Sequence, residues 1–362
     1  MATRRGFLAG LAAAALVPRP TWADVGSPDF LAAAKMPEGD YALVGLTRDG
    51  REVFRLPLPD RGHAAAAHPS RAEAVAFARR PGTFAVVIDC QSGEVRARLD
   101  AAEGRHFYGH GAYSRDGRLL FTTENDYGAN RGMVGVRDAT AGYVQIDEFP
   151  TMGVGPHEIA RMPGTDILVV GNGGIASHPD AGDVDLDIPA MKPNLAYFSE
   201  AGSVLEVVEL EPGLRRDSIR HLALREDGLV AFAMQWHGDE GEPAPLLGLH
   251  RRGEDVRLLS APGPMQAEMD GYAGSVAFSR DGSRVAISSP PGGQAQVWNA
   301  DSGEWIGRLR LRDVCGLSAG PDGFTATTGT GLVVGFGGEA VLWDVAHQGA
   351  FDNHLVRLAA DL

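Results

Sequence analysis

The feature that most constrains this chain is a repeated hairpin closed by a short Asp-Gly or Pro-Gly turn. It is clearest at Tyr108-Gly-His-Gly-Ala-Tyr-Ser-Arg-Asp-Gly117, which runs into Arg-Leu-Leu-Phe-Thr-Thr-Glu124. Asp-Gly between two apolar runs is a strong hairpin signal, because glycine accepts positive φ without strain. Units of this kind recur every 40 to 65 residues, a period that belongs to propellers.

The first unit offers runs at 63–68, 73–77, 83–89 and 94–99, with a Ser92-Gly93 turn. The second is the stretch above, continued at 133–137 and 143–149. The third starts at His157 and turns at Pro163-Gly164, and the fourth starts at His221 and turns at Asp227-Gly228. The fifth begins at Ser275 and turns at Asp281-Gly282; the sixth runs from Gly316 through Asp322-Gly323. Each unit supplies about four short strands and no helical period, so no unit can bury both faces by itself. The ends complete the ring. Residues 41–56 form a hairpin around Asp49-Gly50 without an inner strand, and residues 351–358 form a lone strand. Pairing them makes a seventh blade and removes an exposed edge. The expected fold is therefore all-β: a single WD40/YVTN-like seven-bladed β-propeller over residues 24–362, closed by its N- and C-terminal strands.

Residues 1–23 read as a targeting segment. Thr3-Arg4-Arg5-Gly6-Phe7-Leu8 has the form of a twin-arginine export signal, followed by an apolar run at 8–17 and a small-x-small cleavage pattern at Thr21-Trp22-Ala23. That run is too short for a permanent anchor. The expected location is the periplasm. Cleavage would leave 30 basic against 47 acidic residues, a net charge of −17, which disfavours nucleic acid and anionic lipid. Cys90 and Cys315 fall in separate blades and are expected to be free thiols. The segment 175–193, with Asp180, Asp183, Asp185 and Asp187, interrupts the blade pattern; it lacks the Gly and terminal Glu of a calcium loop and reads as a solvated acidic insertion.

Counting six residues back from the turn gives a common slot at the start of each inner strand. His110, His157 and His221 occupy it, with Ser275 and Gly316 in the fifth and sixth units. His63 fits if Pro69 stands for the turn residue, and His354 begins the closing strand. Inner strands line a propeller's channel and equal registers lie at equal depth, so these five histidines are expected as an arc around one channel mouth. Neutral imidazole is the commonest ligand for iron, copper, zinc and nickel. Tyr108, Glu158, Asp352 and Cys315 lie close enough in sequence to serve as further ligands or as their supports. A competing reading is structural. In common propeller repeats a Gly-His pair before the inner strand bonds a turn carboxylate, and Gly62-His63 and Gly109-His110 have that form, whereas Pro156-His157 and Arg220-His221 do not. No GxSxG elbow, HExxH helix or phosphate-binding loop is present, so no catalytic residue is assigned.

Several motifs taken together resemble one uncharacterised bacterial family, domain of unknown function 1513. They are the twin-arginine leader, Tyr108-Gly-His110, Gly155-Pro-His157-Glu158, Met191-Lys-Pro193-Asn-Leu195, Arg220-His221-Leu222 and Asp352-Asn-His354-Leu355. The resemblance implies a periplasmic propeller and, from its usual neighbours, a link to imelysin-type iron-uptake and dihaem redox proteins. The leading expectation is a monomeric propeller holding iron or copper at the histidines. A non-catalytic interaction scaffold is second, and a lactonase or quinoprotein-like enzyme third.

Overall fold

The computed structural model describes residues 19–79, 82–181, 186–239 and 241–358. The expected leader therefore lies mostly outside the described residues, as do Asp183 and Asp185 of the acidic insertion. Six four-stranded antiparallel sheets and one closing sheet follow one another round a ring. Blades one to six begin with the inner strands Gly62–Ala67, Arg105–Tyr113, Pro156–Arg161, Asp217–Leu224, Ser275–Phe278 and Val314–Gly320. Each packs beside its neighbour along the axis. The expectation of seven blades holds.

Outer strands alternate exposed and half-buried residues, as Val204–Glu209 and Val341–Ala346 do, whereas second and third strands such as Glu73–Ala78 are buried throughout. That difference explains the core. Among the described residues seven apolar clusters are present, each lying between two adjacent blades rather than inside one. Phe77, Phe107 and Leu120 join blades one and two, and Trp298, Phe278 and Leu247 join blades four and five. Burying a large apolar side chain contributes roughly 1.5–3 kcal/mol, so the ring is held chiefly by these wedges.

The closing blade differs in one respect from the sequence expectation. Phe30–Lys35 is a full strand and pairs with both Tyr41–Leu46 and the C-terminal segment. Its Phe-Leu-Ala-Ala-Ala-Lys composition is too alanine-rich to signal a strand. It is buried on both faces all the same, and small residues suit that position. The C-terminal inner strand is present as expected, but broken into Ala350–Phe351 and Val356–Arg357, with residues 352–355 bulging between them.

Two further points concern the ends and the insertion. Trp22–Val25 forms a 3-10 turn, and Trp22 Nε1 donates to His68 O at 2.8 Å. The insertion is anchored rather than merely solvated: Ser177 is buried, its Oγ lies 2.7 Å from Tyr108 Oη, and its carbonyl accepts from Asn125 Nδ2 at 3.0 Å. Among the described residues no helix is long and apolar enough to cross a membrane.

Candidate metal centre

Most inner strands carry a bulge near their start. The register shifts between Gly62 and Ala65, Phe107 and Gly111, Pro156 and Glu158, Ile219 and His221, and Val314 and Leu317. A bulge adds a residue on one strand and re-aims its side chain. Here the bulges sit at the histidines, and the break in the C-terminal strand does the same for His354.

The structure brings all five predicted histidines together. His354 lies 4.6 Å, centroid to centroid, from both His63 and His110, and 4.7 Å from His221. His157 lies 4.7 Å from His221 and 5.1 Å from His110. They form a packed cluster across the axis rather than the expected arc around a mouth. All are 3–8% exposed. Contact follows from the ring's narrowness: bulged strands facing one axis leave room for imidazoles and little else.

The six-residue ruler needs adjustment in two blades. Paired from the hairpin end, where Tyr113 faces Leu120, Arg161 faces Leu168, Leu224 faces Val230 and Ala67 faces Ala74, the slot holds His110, Glu158, His221 and Ala64. His157 and His63 stand one residue earlier. Blade three carries its turn one place later than assumed, and blade one does the same. The cluster accordingly has two tiers. Donor atoms of His110, Glu158, His221 and His354 lie within 4.8 Å of one another, and so do those of His63, His110 and His157.

A tetrahedral or octahedral centre with metal–nitrogen bonds of about 2.0–2.1 Å spaces its donors roughly 3–4 Å apart, so these sets close around one ion with small movements. His63 Nε2 and His354 Nε2 already stand 3.3 Å apart. His110 Nε2 and His157 Nδ1 are buried and make no hydrogen bond among the described residues, which is costly for a polar atom unless something binds it. The supporting carboxylates are also in place. Asp352 Oδ1 lies 3.5 Å from His63 Nδ1, an electrostatic contact without hydrogen-bond geometry, and Asp352 Oδ2 is gripped by Arg61 at 2.7 Å. Glu158 Oε2 stands 3.3 Å from His221 Nδ1, 3.9 Å from His110 Nδ1, and accepts from Leu222 N–H at 3.2 Å. A carboxylate behind a histidine orients the ring and raises its basicity toward a metal.

Electrostatics favours ligation. Burial, reinforced by the neighbouring histidines, pushes His110, His157, His221 and His354 well below the usual imidazole range, so each keeps a free lone pair at neutral pH. Glu158 works the other way: burial pushes its carboxyl up to about 8 despite the Leu222 N–H, so at neutral pH it holds a proton that a binding ion must displace. Burial works in the same direction on Asp352, but His63 and Arg61 overcome it and hold that carboxyl far below its ordinary value.

The structural alternative required histidines bonded to turn carboxylates. The Asp116 carboxylate instead accepts from Ser114 and Arg118 of its own turn, and His110 faces the axis. Of the other candidates, Tyr108 is occupied by Ile175 O and Ser177 Oγ, and Cys315 Sγ donates to Asp313 O at 3.1 Å. Both cysteines are free and buried, as expected. Arg61 had no sequence signal beyond standing two residues before His63.

The pattern that defines the family "Protein of unknown function (DUF1513)" matches residues 56–358, which span the motifs around His63, His110, His157, His221 and His354. The chain belongs to this family. Among curated proteins no sequence match is found. Among solved structures, hydrazine synthase of Kuenenia stuttgartiensis is similar in fold, with a TM-score of 0.61 over 80% of this chain and 86% of that chain, at 14% sequence identity. That likeness concerns the fold alone.

Proposed function

We propose that this protein is a metal-binding β-propeller whose axial histidines and Glu158 hold a transition-metal ion, iron or copper. The observation that carries this reading is the convergence of five imidazoles from five blades, with buried ring nitrogens on His110 and His157 that make no hydrogen bond among the described residues. The donor set is imidazole plus a carboxylate, without sulfur, which suits Fe(II) or Cu(II) and is a poor match for Cu(I). The twin-arginine-like leader and the family resemblance support a periplasmic role, in metal acquisition or an associated redox complex with imelysin-type or dihaem partners.

Metal analysis of the exported protein, and of protein reconstituted anaerobically with Fe(II) or aerobically with Cu(II), tests the reading. Stoichiometric metal is expected, and it should disappear in His110→Ala/His157→Ala while circular dichroism keeps the wild-type strand signal. A wild-type protein that stays metal-free after both reconstitutions overturns it.

A further inference from the structure

Beyond the histidines the axis is not filled. A cavity of about 630 Å³ runs along the inner strands from His110, Glu158, His221 and His354 towards the hairpin turns at Ser114 and Ser279. Its existence follows from the sequence. Two residues past the slot, the inner strands carry Ala66, Ala112, Ala160, Ala223 and Ala277, and all five line the cavity. These are equivalent positions, each pairing one step inside the residue that closes its hairpin, as Ala112↔Phe121, Ala160↔Val169 and Ala223↔Ala231 show. All five also touch the apolar clusters between blades, so little of each side chain reaches the axis, and a much larger residue would have to project into it. Alanine in five blades instead leaves a chamber whose floor is one tier of the cluster. Of the second tier only His110, which the two tiers share, faces it; His63 and His157 do not.

Where the chamber approaches solvent, Arg280 and Arg357 lie on its lining, exposed and without an ion pair among the described residues. Glu226 and Asp281 also lie on this lining, the latter accepting from Ser279 and Ser283, so the two arginines are free positive charges set among acids on a chain whose formal net charge is −14.

We infer that the centre keeps a coordination position open towards this cavity and takes there a small anionic ligand, admitted past Arg280 and Arg357. The inference rests on the proposed metal centre and deepens it: the ion serves a ligand or substrate and is not sealed in for structure alone. A site closed on all sides needs no chamber, and catalytic metal sites differ from structural ones by such an open position.

Azide is a suitable probe, and Co(II) a suitable spectroscopic ion. In Co(II)-loaded protein, azide should shift the visible d–d bands with saturating behaviour. Ala112→Phe and Ala223→Phe should remove that response while bound Co(II) stays stoichiometric. Arg280→Glu/Arg357→Glu, two exposed changes that leave folding intact, should weaken azide binding about tenfold at low salt, an effect that salt suppresses. Metal-loaded protein whose bands ignore azide overturns the open position, and an unchanged azide affinity in the double arginine variant overturns the anionic preference. Protein that takes up no cobalt, iron or copper fails the metal reading itself, so the two failures are separable.

Discussion

At the scale of the residue, two glycines show how tightly the histidines are placed. Gly109 has φ +96, and a Cβ there would stand 2.7 Å from His63 Cδ2. A Cβ on Gly316 would meet Leu355 N at 2.6 Å, so the slot in blade six is empty because the His354 segment passes through it. Gly109→Ala combines strain at positive φ with displacement of a ligand ring. It should cost about 1–3 kcal/mol, measured by urea unfolding, and should also weaken metal binding in a direct titration. Wild-type affinity in that variant would show that His63 is not a ligand. His68 is a different case, outside the cluster. Its Nδ1 accepts the backbone N–H groups of Ser70 and Arg71 at 3.1 and 3.0 Å, which protonation would break. Burial and the Arg71 charge, only partly opposed by Gly117 O, push it down to about 4. In the unfolded chain the same ring protonates near pH 6.5. Its contribution is therefore complete above about pH 6.5, is lost as the pH falls towards 4, and changes no further below that. His68→Gln, whose amide oxygen can still accept those N–H groups, should flatten the stability–pH curve in this window. A curve identical to wild type would refute the assignment.

At the scale of the element, the bulge is the device that matters. A regular inner strand would alternate its side chains between the two faces of the blade and could not turn ligands from so many blades onto the axis. The extra residues around His63, His110, His157 and His221 do so, and they also split the site into two tiers. The bulges were not visible in the sequence, because a single inserted residue does not disturb a run of apolar and small residues enough to be noticed. That is why a constant six-residue offset found His110 and His221 correctly but hid the fact that Glu158, and not His157, is their structural equivalent.

At the scale of the whole molecule, ring closure and site assembly are one event. Asp352 and His354 come from the last inner strand, which pairs with Phe30–Lys35 from the other end of the chain. Asp352 in turn bonds Arg61 of blade one across the closure, at 2.8 Å to Nε. Ending the chain before Ala350 would expose the edge of Phe30–Lys35, remove Phe351 and Leu355 from the apolar cluster between blades six and seven, and remove a ligand with its supporting carboxylate. The truncated protein should lose its single sharp unfolding transition and its bound metal together. A truncation that melts as sharply as wild type would show that the closing strand contributes little to the ring.

The sequence by itself determined the architecture. Local turn chemistry and period-two strands repeat with a blade-length spacing, and such units have no way to bury their faces except by stacking into a ring. It also named the five histidines, since equal places in equal repeats must lie at similar depth. Only the tertiary structure decided what they form. Whether rings at similar depth stand apart as an arc or touch as a cluster depends on the width of the axis and on bulges of a single residue. Partners such as Arg61 and Asp352, 291 residues apart, become neighbours through ring closure alone. The cavity belongs to the same category: each alanine is unremarkable in its own strand, and the five make a chamber only when the blades set them side by side.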